Sequence, residues 1–460
     1  MNQTPATRVR WLLISWLFVL SAVAFLDRVN ISIAGSSIAA EYHLSNVQLG
    51  SIFSSFLLGY AFFQSIAGWL ADQLGPRRVL AAGVLWWGVF TALTAAVPVT
   101  VASPLLAFVA IRFLLGAGEA VMYPASNQFV ARWIPTQERG IANGLIFAGV
   151  GVGAGFTPPL ITWLMVQQGW RFSFWMCALT GVAAGTVWFV AARDTPEQHP
   201  RVSAAELTHI RAGLTLNPAD SLAPPSVTGV SPASPAAALL KTKVPWGRIL
   251  SERSVLSMTF SYFCFGYVAW IFFSWFYIYL ARVRGLNLRA SAFYAMLPFL
   301  AMAVGCPLGG LVSDWLTRSA GKRLGRCGIG ALGAALAAAF LIFGSNVGSA
   351  RLASVILAGG AGALYLAQSS FWSVSADIGS TFSGSVSGLM NMGAQLGGAL
   401  TASLTPAIAA RYGWTASFLV AASLSILGSL AWLAVNPNRS LAAPPHASPT
   451  VQPRDILPDK

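Results

Sequence analysis

Residues 68–78 read Gly68-Trp-Leu-Ala-Asp72-Gln-Leu-Gly75-Pro-Arg77-Arg78 and join two apolar runs, 48–71 and 78–99. A run of about 20 apolar residues is long enough to cross a bilayer as a helix. The segment between them holds an acid, a Gly-Pro turn and two arginines, so the chain leaves the membrane, turns tightly and re-enters. Asp72 ends one helix, Gly75 and Pro76 make the turn, and Arg77 and Arg78 open the next helix.

Ten further apolar runs extend outward from this pair, at 11–33, 104–131, 140–165, 171–192, 254–281, 288–313, 326–344, 350–377, 383–410 and 413–435. Helix is the default for each, because lipid offers no partner to unpaired backbone groups. The alternating ten-residue segments of a membrane β-barrel are absent. The chain has 460 residues, 56% hydrophobic and 9% charged, with a mean hydropathy of +0.66. A soluble domain carries roughly 25% charge, so lipid must cover this much apolar surface. The expected fold is an all-α membrane protein of twelve transmembrane helices, and the first run is read as a retained helix rather than a cleaved leader.

The net charge of +14 follows topology. With the N-terminus inside, six of the 28 Lys and Arg fall outside (Arg171, Arg282, Arg284, Arg289, Arg351 and Arg411), two lie in spans, and the other 20 face the cytoplasm. That is the positive-inside bias, and it removes the reason to invoke nucleic acid. The outer cluster Arg282, Arg284 and Arg289 is its one exception. The four cysteines sit in apolar spans without metal-ligand spacing, so no metal centre is expected. No phosphate-binding Gly-Lys-Ser/Thr loop is present, which argues against an ATPase. No paired nucleophile and base is visible, so an enzyme is not expected.

The hinge has a weaker copy, Gly310-Leu-Val-Ser-Asp314-Trp-Leu-Thr-Arg318. Gly140, Gly144, Gly149 and Gly153 recur as Gly384, Gly388, Gly393 and Gly397, and Gly169-Trp170 recurs as Gly413-Trp414. Six spans return the chain to the same membrane face, so the halves are parallel repeats, the layout of a transporter that rocks about a midplane site. The same glycines also suit close helix packing. Residues 1–192 are read as an N-terminal six-helix bundle, 193–253 as a cytoplasmic linker, 254–435 as a C-terminal six-helix bundle and 436–460 as a cytoplasmic tail. The Pro-, Ala- and Ser-rich stretch 216–238 reads as flexible.

Four charges fall inside the spans: Asp27, Arg28, Arg112 and Glu119. An ionised side chain in hydrocarbon is expensive, so one kept there faces a cavity or a partner. Arg112 and Glu119 are seven apart, on one helix face and roughly 10 Å from each other; Tyr123 shares that face. Asp27 and Arg28 point about 100° apart. Arginine offers a planar fork that matches a carboxylate. Burial favours a neutral carboxyl and a nearby arginine favours the charged form, so protonation of an acid here can depend on state. Two readings fit the residues: an anion site coupled to protons, or ion pairs that hold helices together. In the second half Gln368, Ser370, Trp372, Asn391 and Gln395 are polar candidates for contact with substrate, or for bonds between helices.

The hinge resembles the signature loop of the major facilitator superfamily, Gly-x-Leu-x-Asp-x-x-Gly followed by basic residues, with Gln73 where a basic residue is often found. The segments Leu26-Asp27-Arg28-Val-Asn30-Ile-Ser, Arg112-Phe-Leu-Leu-Gly-Ala-Gly-Glu119-Ala, Gly388-Leu-Met-Asn391 and Asp194-Thr-Pro-Glu-Gln-His-Pro200 are similar to its anion:cation symporter family. The resemblance implies that Arg28 holds a substrate carboxylate. It implies that Asp27 and Glu119 carry protons, with Arg112 offsetting an acid, and that Tyr60 and Asn391 line the site. Phe25 stands where the family often has tyrosine. The resemblance also implies a cytoplasmic latch built from Gly68, Asp72, Gly75, Arg77 and Arg78 and echoed by Asp314 and Arg318, in which the carboxylate caps a neighbouring helix and pairs with a nearby arginine. The expected activity is proton-coupled symport of an organic carboxylate, a sugar acid or similar, by a monomer of the bacterial inner membrane with both termini inside. Protons are the coupling ion and no cofactor is expected. The alternatives are an anion exchanger or uniporter, and a sensor that binds the anion without moving it.

Overall fold

A computed structural model describes residues 6–214, 244–276, 279–286 and 288–441. Among the described residues, eleven stretches are helical, long and apolar enough to cross a membrane, and one of them, Ala350–Thr401, holds two spans joined by the turn Ser380–Phe382. The architecture is therefore twelve spans. In the first half they are span 1 (Val9–Glu41), span 2 (Asn46–Leu74), span 3 (Pro76–Ala96), span 4 (Pro104–Glu119 and Met122–Trp133), span 5 (Arg139–Gln168) and span 6 (Trp170–Ala191). In the second half they are span 7 (Arg253–Ser274), span 8 (Leu288–Ala320), span 9 (Ile329–Asn346), span 10 (Ala350–Leu366 and Gln368–Gly379), span 11 (Ser383–Tyr412) and span 12 (Trp414–Ala431). The chain is a multi-pass membrane protein. The sequence stretch 216–238 and the chain from 442 lie outside the described residues.

Local sequence sets the element ends. Ser45 and Gln48 form a reciprocal capping box at the start of span 2, which satisfies two otherwise orphaned donors. Gly75 takes φ +85 and Pro76 follows as the first residue of span 3, the position where a missing N–H costs nothing. The repeated Gly-Trp pairs share one device. Gly169 and Gly413 have φ +82 and +84 and turn span 5 into span 6 and span 11 into span 12. Trp170 then donates to Glu41 at the end of span 1, while Trp414 packs its ring 5.5 Å from Tyr279, just beyond span 7.

The repeated glycines divide their work by position. A Cβ on Gly140 or Gly144 would come 2.7 Å from the Gly310 carbonyl oxygen or 2.5 Å from that of Cys306. On Gly384 or Gly388 it would come 2.6 Å from the Gly68 oxygen or 2.5 Å from that of Gln64. These four positions press span 5 onto span 8 and span 11 onto span 2, across the two halves. Gly149 and Gly153 instead meet the carbonyls of Phe18 and Ala22 in span 1, and Gly393 and Gly397 meet those of Thr259 and Phe263 in span 7. One register thus builds both the interface between the halves at the end that carries the hinge loops and the packing within each half.

Outside the spans, the helix Ala204–Leu214 is tied to the first half. Glu206 is fully buried and accepts from the Thr7 hydroxyl at 2.6 Å and from the Val9 and Arg10 amides at 3.1 Å each. A carboxylate at that place caps the positive end of span 1. On the opposite face Arg284 donates to the carbonyls of Val347 (2.8 Å), Gly348 (3.3 Å) and Ser345 (3.4 Å) at the end of span 9. That accounts for one member of the outer basic cluster: it is a helix C-cap. The side chains of Arg282 and Arg289 lie outside the described residues.

Candidate functional site

A cavity of about 70 Å³ lies between the halves. Phe25, Arg28, Tyr60, Tyr123 and Phe147 line it from the first half, and Tyr262, Phe273, Gln368, Asn391 and Gln395 from the second. Spans 4 and 10 both break beside it, at Ala120–Val121 and at Ala367. Pro124 accounts for the first break, since it cannot donate to the carbonyl of Ala120. The breaks put Glu119 and Gln368 at helix ends next to the cavity.

Arg28 is the charge that faces the cavity. Its Nε donates to Glu119 Oε2 at 2.5 Å, and the Glu119 side chain is fully buried. Aromatic rings cover the guanidinium, with the Tyr60 centroid at 4.2 Å and Phe25 at 4.8 Å. Arg28 Nη2 and Glu119 Oε1 are buried without hydrogen-bond partners. Behind this pair, Arg112 lies over the Phe56 ring at 4.8 Å, with Nε and Nη1 unpartnered. Asp27 does not line the cavity. It is buried inside the first half near Thr91 and Cys177, and neither carboxylate oxygen makes a hydrogen bond of normal geometry. Arg112 and Glu119 share a face as the spacing requires, but Glu119 takes its ion pair with Arg28, 91 residues away. Two positive and two negative groups are thus gathered in apolar surroundings, with several polar atoms uncommitted. Such a cluster can exchange one partner for another at little cost, because each orphaned atom gains by finding one.

The ends of the halves that carry the hinge loop and its copy hold two related caps. Asp72 accepts from the amides of Gly384 (2.9 Å) and Ser385 (2.8 Å) and from the Ser385 hydroxyl (2.5 Å), at the first turn of span 11. Asp314 accepts from the amides of Gly140 (2.9 Å) and Ile141 (2.7 Å), at the first turn of span 5. Each acid belongs to one half and caps a helix of the other, so the caps exist only while that end is closed. The arginines differ from expectation. Arg77 and Arg78 do not pair with Asp72: the Arg77 amide donates to Asp194 at 2.9 Å, its side chain reaches the Phe189 carbonyl, and Arg78 is exposed. Gly75 belongs to this contact, since a Cβ there would meet Asp194 Oδ1 at 2.5 Å. Arg318 is exposed, and the partner of Asp314 is Arg326, fully buried at 2.6 Å. Arg318 follows Asp314 by one turn, near the end of the helix, whereas Arg326 comes back from the next element, Arg323–Gly328.

Of the other sequence candidates, Tyr60, Tyr123, Gln368 and Asn391 reach the cavity. Ser370 and Trp372 do not line it. Ser370 is about 200° round the helix from Gln368, and Trp372 lies one turn deeper, donating to Tyr262 at 3.0 Å and backing Phe147. Sequence reading placed Asp377 and Arg326 at the membrane edge, and the structure buries both in ion pairs. Asp377 pairs with Arg139 across the halves at 2.5 Å and with Lys322 at 3.7 Å. Tyr262 and Gln64 were missed because nothing marks them among many polar residues in the spans; they become visible only through their partners, Gln368 and Asn391.

Comparison with known proteins agrees with this architecture. The Major Facilitator Superfamily pattern matches residues 17–402. The chain is 30% identical to a probable sulfoacetate transporter of Cupriavidus necator, over 95% of this chain and 96% of that one. It is 31% identical to a probable galactarate/D-glucarate transporter of Escherichia coli strain K12, over 69% and 68%. It is also 31% identical to a chloroplastic ascorbate transporter of Arabidopsis thaliana, over 92% and 74%. Among solved structures, a proton:xylose symporter superposes with a TM-score of 0.66 at 16% identity, covering 91% of this chain and 94% of that one.

Proposed function

The chain belongs to the major facilitator superfamily and is a transporter rather than an enzyme; from that premise we propose that it carries an organic carboxylate together with a proton, by alternating access, across a bacterial inner membrane with both termini in the cytoplasm. The named substrates of its relatives, sulfoacetate, galactarate or glucarate, and ascorbate, share negative charge, and all but sulfoacetate are six-carbon polyhydroxy acids. They support an anion and take the reading no further.

The observation that carries the proposal is the Arg28–Glu119 pair at the cavity. With all four groups ionised the cluster is neutral, and Glu119 occupies the guanidinium edge that a substrate carboxylate needs. Protonation of Glu119 releases that edge and leaves one net positive charge. An incoming carboxylate takes the fork and restores neutrality. Proton and anion therefore bind together or not at all, which is the requirement for symport. Asp27 and Arg112 lie behind the Arg28–Glu119 pair as opposite charges not bonded to each other, through which the proton can be shared. Opening to the cytoplasm then requires Asp72 and Asp314 to leave the helix ends they cap.

Proteoliposomes containing the purified protein test this with two poorly permeant labelled probes, gluconate and para-aminohippurate. An inward proton gradient should drive accumulation of at least one, and Glu119→Gln should lose that accumulation while keeping exchange of internal for external anion. Gradient-driven accumulation by Glu119→Gln would sink the coupling scheme. Exchange without accumulation in the unaltered protein would favour an anion exchanger built on the same pocket.

A further inference from the structure

A second cavity, of about 260 Å³, shares no lining residue with the one at Arg28. Its polar lining comes from both halves. Arg132 lies in the last turn of span 4, Arg139 begins span 5 with Thr136 just before it, and Thr195 follows span 6. Asp377 lies near the end of span 10, and Ser380 turns that span into span 11. Arg139 adjoins Gly140, whose amide is capped by Asp314. The cavity therefore lies at the end that carries the hinge loops, and it is complete only while the halves meet there.

One cation at this cavity is left over. Asp377 is held by Arg139 at 2.5 Å and by Lys322 at 3.7 Å. Glu197 also lines the cavity, and Arg211 reaches it at 3.2 Å. Arg132, half-buried, makes no ion pair and no side-chain hydrogen bond among the described residues. The acids whose field reaches it are Asp194 and Asp72. Both are committed to backbone amides, Asp194 to that of Arg77 and Asp72 to those of Gly384 and Ser385. A cation is favoured in the last turn of a helix, yet this one keeps its whole fork of donors without an acceptor. Arg139 adds Nε, which is buried with no hydrogen-bond partner in a side chain only 7% exposed.

Hydroxyls complete the lining. The side chains of Thr136, Thr195 and Ser380 make no hydrogen bond among the described residues. Ser380 also holds φ 48 and ψ −115, a conformation that costs a residue with a Cβ about 1–3 kcal/mol. Glycine would relieve it, so the hydroxyl stands there against the local backbone preference. Gln128 of span 4 fixes that turn from the other half, donating to the Thr381 carbonyl at 3.0 Å. An arginine fork ringed by uncommitted hydroxyls matches an anion that offers several oxygen acceptors at once.

We propose that this second cavity is a regulatory site for a phosphate-class oxyanion from the aqueous phase, held by Arg132 and the neighbouring hydroxyls, and that its occupation keeps the halves closed at this end. A ligand that touches both halves favours the closed arrangement, shifts the equilibrium toward it and slows transport. The site is independent of Arg28 and of whichever anion is carried.

Inorganic phosphate is the probe for the purified full-length protein, with chloride at equal ionic strength as the control. Phosphate should raise the melting temperature and slow thiol labelling of a cysteine placed just inside the end that carries the hinge loops. Arg132→Gln should weaken phosphate at least about tenfold, through the loss of charge-assisted bonds. Arg132→Lys keeps the charge and loses the fork; it should weaken phosphate severalfold, and it serves if the glutamine variant fails to fold. Arg28→Ala should leave the response intact. Equal responses to phosphate and chloride would overturn the proposal. A response lost in Arg28→Ala and kept in Arg132→Gln would overturn it by placing the anion in the central cavity. A response to phosphatidic acid in mixed micelles, with none to free phosphate, would overturn it in favour of a lipid headgroup. Phosphate binding with unchanged or faster labelling would overturn the closing role.

Discussion

Gly68 and Gly310 show how much a single hydrogen atom decides. A Cβ on Gly68 would lie 2.1 Å from the Gly384 carbonyl oxygen, and one on Gly310 would lie 2.3 Å from that of Gly140. Both obstacles are main chain, which has no rotamer to change. The clash exists only while the halves touch at the end that carries the hinge loops. Gly68→Ala therefore penalises the closed arrangement rather than the fold of either half. Overpacking of this kind costs about 1–3 kcal/mol, enough to move the open-to-closed ratio by roughly tenfold or more. Thiol labelling of a cysteine placed just inside the end that carries the hinge loops should become correspondingly faster in Gly68→Ala. An unchanged labelling rate with an unchanged melting temperature would show that the contact is not needed. The sequence displayed these glycines as a repeated register. It did not say that the first two of each set face the other half and the last two their own, because that depends on which helices become neighbours.

Among the elements, the two caps look alike and are built differently. Asp72 is held by main-chain amides and a hydroxyl, whereas Asp314 adds an ion pair with the fully buried Arg326. Replacing a capping carboxylate with an amide forfeits a charge–dipole term of about 0.3–2 kcal/mol. Removing one partner of a buried ion pair costs about 3–5 kcal/mol, because the other charge is left uncompensated. Asp314→Asn should thus lower the melting temperature clearly more than Asp72→Asn. Equal effects would mean that Arg326 is satisfied by the Thr136 carbonyl and the Ser313 hydroxyl alone. The elements themselves were plain in the sequence, because lipid leaves helix as the only option for each apolar run. The capping role of Asp72 came only from the resemblance of its loop to the family signature, with Asp314 as the weaker copy. Partner choice was not legible. Arg318 belonged to the repeated motif and Arg326 lay outside it, yet the first is exposed and the second is buried against Asp314 from the following element. A rotation of about 200° along the helix turns Ser370 away from the cavity that Gln368 reaches.

At the scale of the whole molecule, two bundles meet along spans 2 and 11 and spans 5 and 8, with the charged cluster confined to the first bundle and the second supplying a neutral wall. Ser65 and Met392 face each other across the first of these seams, with oxygen and sulfur 3.9 Å apart. All four native cysteines are buried and unpaired, so an introduced pair can be oxidised with little background. Ser65→Cys combined with Met392→Cys should, on oxidation, stop transport and recover it on reduction, while leaving ligand binding in place. Transport that survives complete cross-linking would exclude separation of this seam from the cycle. The four ionisable groups at and behind the cavity have one more consequence. With all four ionised they cancel, and under the proposed coupling one proton accompanies one monovalent anion. The loaded carrier then reorients with no net charge, and so does the empty one. The membrane voltage, worth about 2.3 kcal/mol per elementary charge at 100 mV, drops out of the cycle, and accumulation follows the pH difference alone. A divalent anion would carry one uncompensated negative charge, and an interior-negative cell would resist its entry at every turn of the cycle.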